Sequence, residues 1–128
     1  MKLTGRDAAP LQGLKIFIVE DEAPIAMLIE DMLEDLGCHV AASAASIAEA
    51  LDLAVRAEFD LALLDINVNG DRIDPVALAL KSRRIPFLFA SGYGASGLGE
   101  GWQTFPVVQK PFRLDALREA ILVASGRG

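Results

Sequence analysis

Short, nearly continuous apolar runs alternate along this chain with longer stretches that mix apolar and polar residues. The clearest run covers residues 14–19, where Lys15 is the one polar position, and it ends abruptly in Glu20-Asp21-Glu22. Runs of this kind are typical of strands that are buried on both faces of a parallel sheet. Four more strands are predicted, a weaker one at residues 39–44 and then residues 59–64, 85–90 and 105–108.

The mixed stretches show the spacing and the end signals of α-helices. After the first run, Pro24 suits the first turn of a helix, apolar residues recur at helical spacing, and Gly37 suits its end. Another helix is predicted to have Asp74 as its N-cap and Pro75 as its first residue. The helix from Pro75 is predicted to end near residue 82, and the remaining helices are predicted over residues 46–57 and 114–123.

The order of these elements predicts an α/β fold. Strands that alternate with helices form βαβ crossovers, and five such units build a doubly wound five-stranded parallel sheet. The expected architecture is flavodoxin-like, with strand order 2-1-3-4-5 and a ligand site at the carboxyl ends of strands one and three. Five glycines between Gly92 and Trp102 disfavour a stable fourth helix, which is therefore predicted to be short or mobile.

Length and charge limit the classes of protein to which the chain can belong. Its 128 residues have room for one domain, and a net charge of −6 with a pI near 4.7 argues against nucleic acid as a partner. Cys38 and His39 are single residues of their kinds, which excludes an intrachain disulfide, a Cys-based zinc site and multi-histidine metal sites. Cys38 is predicted to be a small buried hydrophobe.

The sequence shows no recognisable targeting or membrane-spanning segment. Residues 1–13 lack the apolar core of a secretory signal and are predicted to be a short leader, with the folded domain over residues 14–125 and no output domain after it. No apolar run approaches the roughly 18–20 residues of a membrane helix. We therefore expect a cytoplasmic protein with no membrane partner.

Each predicted strand end near the expected ligand site carries a polar or charged residue. Glu20 and Asp21 follow the first strand, Asp65 the third, Ser91 the fourth and Lys110 the fifth. Two carboxylates about 5 Å apart repel by roughly 3 kcal/mol at an effective dielectric near 20, so converging acids need positive charge among them. Lys110 supplies one charge, and Mg²⁺, which prefers oxygen ligands, would supply the rest. A strand-end carboxylate beside a divalent cation suits phosphoryl transfer.

Together these motifs resemble the receiver domain of bacterial two-component response regulators. The resemblance is carried by Glu20-Asp21, Leu-Leu-Asp65, Ala-Ser91-Gly and Lys110-Pro111-Phe, in order along residues 14–125. It implies that Asp65 is the phosphoacceptor, that Ser91 is the hydroxyl that swings toward the phosphoryl oxygens, and that Lys110 pairs with them. It also implies a cis peptide bond before Pro111, which X-Pro bonds permit.

The resemblance further implies the metal ligands and the partners. Asp21 would bind Mg²⁺ directly, Glu20 through a metal-bound water, and Asp65 and the backbone carbonyl of Asn67 would complete the protein ligands. The phosphoryl donor would be a sensor histidine kinase or a histidine phosphotransfer protein. A downstream protein would bind the face formed by the fourth helix, the fifth strand and the fifth helix. Such a protein is a slow phospho-switch rather than an enzyme.

Two positions depart from the family pattern. Receivers usually have an aromatic residue three positions before the lysine, where this chain has Val107, and a Met-Pro pair after the acceptor, where it has Val68-Asn69. The stretch ending in Tyr93 resembles a branch of single-domain regulators with a Phe-Ala-Thr-Gly-x-Tyr motif, which commonly lack that aromatic. The departure puts the usual aromatic switch in doubt, and we expect phosphorylation to reorder residues 92–102 instead.

Alternative interpretations remain. The chain could be a degenerate receiver that binds a partner without being phosphorylated, although the intact acids, hydroxyl and lysine argue against it. A small α/β enzyme with turnover is disfavoured because no His, Cys or Ser nucleophile set is recognisable. Residues 92–97 match G-x-G-x-x-G, but after the fourth strand and without the acid expected about 20 residues beyond, so dinucleotide binding is disfavoured.

Overall fold

A five-stranded parallel sheet forms the centre of the molecule. The computed structural model describes residues 9–126, and its sheet has the order β2-β1-β3-β4-β5, which confirms the predicted 2-1-3-4-5 order. Each neighbouring pair is parallel. The strands are β1 (Lys15–Val19), β2 (His39–Ala44), β3 (Leu61–Asp65), β4 (Phe87–Ser91) and β5 (Val107–Gln109).

Four α-helices cover the two faces of the sheet. Helices α2 and α3 pack on one face and α1 and α4 on the other, as two separate apolar clusters show. In β1, Phe17 belongs to the first cluster and Ile16 and Ile18 to the second, because successive side chains of a strand point to opposite faces. The helices are α1 (Ala23–Asp35), α2 (Ile47–Arg56), α3 (Asp74–Ser82) and α4 (Leu114–Ser125).

Because helices cover both faces of the sheet, the sequences of its strands are nearly continuous apolar runs and do not alternate between apolar and polar residues. Four of the five residues in β1 and β3 and all five in β4 are buried, because both faces of the central strands contact helices. The edge strand β2 alternates between exposed and less exposed positions, which accounts for its weaker sequence signal. Cys38, just before β2, is buried as predicted.

The helix starts agree with the sequence signals except at α3. Ser46 caps α2, since its hydroxyl accepts the Glu49 N–H at 3.2 Å, and the Glu49 carboxylate in turn accepts the Ala45 N–H at 2.8 Å. The prediction of Asp74 as the N-cap of α3 is wrong. Ile73 occupies that position without a side-chain cap, and Asp74 is the first helical residue. Its carboxylate is not used as a cap because it accepts hydrogen bonds from Arg72 and Trp102.

No α-helix forms between β4 and β5. Within the described residues this connection contains a single 3₁₀ turn at Gly94–Gly97, which agrees with the prediction that no stable fourth helix forms. The alternative that this segment is mobile stays a prediction. Gly94 and Gly101 have positive φ angles, which the interior of a right-handed α-helix does not accommodate. The helix labelled α4 therefore corresponds to the fifth helix of the predicted series, in which a fourth helix lies between the fourth and fifth strands.

The N-terminal segment contributes to the core. Residues 1–8 of the predicted leader lie outside the described residues, but Ala9–Leu11 form a 3₁₀ turn and Leu11 is fully buried. The Gly13 N–H donates to the Gly37 carbonyl at 2.8 Å, so this segment is fastened to the end of α1. In residues 9–126 no helix has the length and apolar character needed to cross a membrane.

Replacing Ser46 by Ala is expected to destabilise the protein by about 1 kcal/mol, because the orphan N–H at the start of α2 loses its acceptor. Chemical denaturation monitored by far-UV circular dichroism measures this change. The matched control is Ser82→Ala, an exposed serine at the last position of α3, whose effect should stay within about 0.5 kcal/mol. Equal effects of the two substitutions would contradict the capping role of Ser46.

Candidate functional site

The polar residues predicted to meet at the carboxyl edge of the sheet do lie at that edge. Asp65 is the last residue of β3 and pairs in register with Ala90, and Ser91 is the last residue of β4 and pairs with Gln109. Glu20 follows β1 directly, and Lys110 follows β5. Since parallel strands end on the same side of a sheet, the fold brings these residues together from four separate parts of the chain.

Lys110 bridges two carboxylates at this edge. Its Nζ lies 3.1 Å from Glu20 Oε1 and 3.1 Å from Asp65 Oδ2. Burial alone would lower the pKa of Lys110, but the hydrogen bonds and charges of Asp65 and Glu20 outweigh it and raise the pKa above its usual range. The lysine is therefore a fixed positive charge that holds the strand ends β1, β3 and β5 together.

Glu20 is the most deeply buried charged residue of the site. It is only 3% exposed, and its Oε2 is buried without a hydrogen-bond partner among residues 9–126. Burial, followed by the contact with Asp65, raises the pKa of Glu20 from 4.5 to about 7, although Lys110 acts in the opposite direction. A buried carboxylate oxygen without a partner is costly, so this atom is suited to a ligand that the protein itself does not supply.

Asp21 lies beside Glu20 with one oxygen already held in place. The Asn69 backbone N–H donates to Asp21 Oδ2 at 3.0 Å, and this hydrogen bond lowers the pKa of Asp21 below its ordinary value. Carboxylate oxygens of Glu20, Asp21 and Asp65 all lie within 4.8 Å of one another. Three carboxylates facing one ammonium leave an excess of negative charge in a confined oxygen-rich site. This donor set and the unpartnered Glu20 oxygen fit a Mg²⁺ ion.

The segment after Asp65 is a small hairpin rather than the loop expected from its turn-forming residues. Asn67–Val68 pair antiparallel with Asp71–Arg72, and Asn69 and Gly70 form the turn with φ angles of 53° and 82°. An Asn-Gly dipeptide is a strong signal for a two-residue hairpin turn, and it would have identified this feature. Asn67 thus lies two residues past the acceptor candidate, and its carbonyl as a metal ligand stays a prediction.

Ser91 is buried and its hydroxyl is turned toward the following segment. The Ser91 Oγ accepts a hydrogen bond from the Tyr93 N–H at 3.0 Å, and only 4% of the residue is exposed. Val107, at the start of β5, is half-buried and offers no aromatic ring. The Lys110–Pro111 peptide bond is cis, as the family resemblance implied.

An aromatic cluster holds the far end of the Gly-rich connection. Trp102 packs edge-on against Phe89 and Phe105, with ring centroids 5.9 and 5.3 Å apart. Its Nε1–H donates to Asp74 Oδ2 at 3.2 Å, and Asp74 also accepts a hydrogen bond from Arg72 Nε at 3.0 Å. This chain of contacts links the connection to the hairpin after Asp65, and sequence patterns alone contained no signal for it.

Comparison with known proteins identifies the class of protein that this fold and site define. A family model described as the response regulator receiver domain matches residues 16–122. The chain belongs to the response regulator receiver domain family. Receiver domains of response regulators are in general signalling switches of two-component systems rather than enzymes.

Several relatives share the fold and part of the sequence. The phyllosphere-induced regulator PhyR of Methylorubrum extorquens is 33% identical over 113 residues, which are 85% of this chain and 42% of that protein. The transcriptional regulatory protein PdtaR of Mycobacterium tuberculosis is 28% identical, with 94% of this chain and 61% of that protein covered. The chain thus spans between about two-fifths and three-fifths of the length of these curated relatives.

Solved structures agree with this assignment. SdrG from Sphingomonas melonis Fr1 superposes with a TM-score of 0.76 at 38% identity, covering 90% of this chain and 97% of that chain. PhyR from Brucella abortus superposes with a TM-score of 0.79 at 30% identity, covering 95% of this chain and 51% of that chain.

The raised pKa of Glu20 predicts a pH-dependent stability in metal-free protein. Because the folded state holds this proton more tightly than the unfolded chain, the contribution is complete below pH 4.5 and is lost as the pH rises through about 7. This contribution to the free energy of unfolding therefore decreases steadily between these two pH values. Glu20→Gln should lack it, so the difference between wild-type and variant in denaturation with EDTA measures the effect.

Two further observations test the same assignment. Glu34→Gln, at an exposed carboxylate on α1, should follow the wild-type pH profile. Protons compete with Mg²⁺ for ionised carboxylates, so saturating Mg²⁺ should raise the melting temperature more at pH 8 than at pH 5.5. Parallel pH profiles for wild-type protein and Glu20→Gln would contradict the buried, proton-holding state of Glu20.

Proposed function

We propose that this chain is a Mg²⁺-dependent phospho-switch that accepts a phosphoryl group on Asp65 from a phosphohistidine. The observation that carries the proposal is the position of Asp65 Oδ2, which lies at the carboxyl edge of the sheet, 3.1 Å from Lys110 Nζ and beside two further carboxylates. Such a site holds an anionic nucleophile in place while concentrating the charges that a transferring phosphoryl group needs.

The transfer itself involves one bond made and one bond broken. A lone pair of an Asp65 carboxylate oxygen forms the new O–P bond as the N–P bond of the donor histidine breaks, and the electron pair of that bond returns to the imidazole nitrogen. Lys110 already contacts Asp65 and pairs with a phosphoryl oxygen of the product. The Ser91 hydroxyl donates a hydrogen bond to another phosphoryl oxygen after its side chain rotates toward Asp65.

Magnesium would be held by Asp21 and Asp65 directly, by Glu20 through water and by the Asn67 carbonyl. When bound, Mg²⁺ supplies positive charge that offsets the repulsion between the carboxylates and the phosphoryl oxygens. Asn69 supports this arrangement because its N–H fixes one oxygen of Asp21 and leaves the carboxylate oriented toward the cluster. Burial and, after it, the contact with Asp65 raise the pKa of Glu20, and a bound cation would favour the ionised carboxylate.

The partners follow from the family and from the relatives. The donor is a sensor histidine kinase or a histidine phosphotransfer protein, and the location is cytoplasmic. PhyR of Bartonella quintana is described as an anti-anti-sigma factor. By analogy, we propose that this chain signals through protein–protein contacts, on the face formed by the β4–β5 connection, β5 and α4. The receiver domain is proposed to span residues 14–125.

Incubation with Mg²⁺ and acetyl phosphate is expected to add one phosphoryl group, detected by intact mass spectrometry. The gain should be absent with EDTA and absent in Asp65→Asn. The matched control is Asp60→Asn, an exposed aspartate just before β3 whose carboxylate accepts the Lys15 N–H, and it should be phosphorylated like the wild-type protein. Absence of both phosphoryl gain and Mg²⁺ binding would contradict the proposal and favour a degenerate receiver.

Phosphorylation is also expected to reorder residues 92–102. Trp102 reports this change, because it is 93% buried in the aromatic cluster and its environment depends on the position of the connection. Its fluorescence should change on addition of beryllofluoride, a phosphoryl mimic, in the wild-type protein and stay constant in Asp65→Asn. An unchanged emission in a protein shown to be phosphorylated would exclude a rearrangement of this segment.

A further inference from the structure

If the Ser91 side chain rotates toward Asp65, another residue must change its conformation in response for the rotation to have an effect elsewhere. In most receivers this is an aromatic residue at the position that Val107 occupies in this chain. Valine has no aromatic ring that could move into the space vacated by the hydroxyl. The segment that does contact the Ser91 hydroxyl is the 3₁₀ turn Gly94–Gly97 in the β4–β5 connection. A Cβ atom built on Gly97 would overlap Ser91 Oγ and would also lie 3.5 Å from Ile66 Cδ1, in the residue that follows Asp65.

Position 97 requires glycine because a larger side chain would clash with the Ser91 hydroxyl. The backbone conformation does not require glycine. The φ angle of Gly97 lies outside the left-handed region, so alanine could adopt the same backbone conformation. The Cβ of Ser91 would be 3.4 Å from the added Cβ, which a small adjustment accommodates, whereas the Oγ would clash. The conflict therefore exists only while the hydroxyl is turned toward the connection.

We propose that Gly97 is the positioning residue through which the rotamer of Ser91 controls the β4–β5 connection, an inference that rests on the proposed function of Ser91. In the state seen here the hydroxyl accepts the Tyr93 N–H and fills the space under Gly97. Rotation of the hydroxyl toward Asp65 removes both contacts at once. The turn then loses its support and is free to move.

The movement reaches the surface through residues that follow the turn. Leu98 and Trp102 are both buried, so a displacement of Gly97 changes the packing of the connection against the core. Trp102 is held at the far end by its hydrogen bond to Asp74. Tyr93, which is 80% exposed, stands next to the hydrogen bond that Ser91 releases. The connection thus couples the buried hydroxyl to an exposed aromatic residue without an aromatic residue at Val107.

A double-mutant cycle of Gly97→Ala and Ser91→Ala tests this inference. Gly97→Ala disfavours the resting rotamer, so the unphosphorylated variant should show a Trp102 emission shifted toward that of activated wild-type protein. Its rate of phosphorylation by acetyl phosphate should rise at least about threefold. In the Ser91→Ala background the clash is absent, and the same glycine substitution should change neither quantity by more than the error of the assay.

Gly92→Ala is the matched control. It makes the same change in the same connection, its φ angle is also outside the left-handed region, and an added Cβ meets no atom within 4 Å. Gly92→Ala should leave the Trp102 emission and the phosphorylation rate at wild-type values. This result would show that the effect of Gly97→Ala comes from the clash with Ser91 and not from the loss of a flexible glycine. If Gly97→Ala behaves like Gly92→Ala, or has the same effect with and without the Ser91 hydroxyl, the inference is overturned.

The outcome can be distinguished from a failure of the proposed function. If Asp65 takes no phosphoryl group in wild-type protein, the function fails, while the coupling between Gly97 and Ser91 is still measured by the emission of the unphosphorylated variants. If Gly97→Ala does not fold, Ser91→Ala provides a second test, because it removes the hydroxyl that contacts Gly97. Amide hydrogen exchange in Gly94–Gly97 should then accelerate at least about threefold, and unchanged exchange would overturn the inference.

Discussion

The balance of charge around Lys110 is the constraint on which the rest of the site depends. One ammonium group lies 3.1 Å from carboxylates at the carboxyl ends of two different strands, and it holds those strand ends together. It does not neutralise them, because a third carboxylate belongs to the same cluster. Burial, followed by the contact with Asp65, raises the pKa of Glu20. The remaining negative charge of the cluster makes the site suitable for a divalent cation.

The sheet makes this arrangement possible because its core is complete without the site. Both faces of the central strands are covered by helices, and the two apolar clusters meet all along β1, β3 and β4. The carboxyl edge is therefore held in place by packing that is independent of its charges. One Glu20 oxygen has no hydrogen-bond partner in the described part of the chain, and the packed core around it holds the side chain in this position.

The β4–β5 connection is built differently from the rest of the molecule. It contains glycines in place of a helix, and it is fastened at one end by the Ser91 hydroxyl and at the other by the aromatic cluster and Asp74. Few backbone hydrogen bonds need to break for such a segment to move, in contrast to a regular helix. This construction is consistent with the proposed coupling between the buried Ser91 hydroxyl and the surface, which does not require an aromatic residue at Val107.

Sequence patterns were sufficient to predict the strand order, the helices on both faces of the sheet, and the placement of five residues at one edge: Glu20, Asp21, Asp65, Ser91 and Lys110. Local patterns are sufficient for this, because burial on both faces produces apolar runs and parallel strands end on the same side. The tertiary structure alone decided that Asp74 binds Trp102 instead of capping α3, and that Gly97 lies on the Ser91 hydroxyl. Contacts between residues far apart in the chain depend on side-chain geometry, and no periodicity or turn signal encodes that geometry.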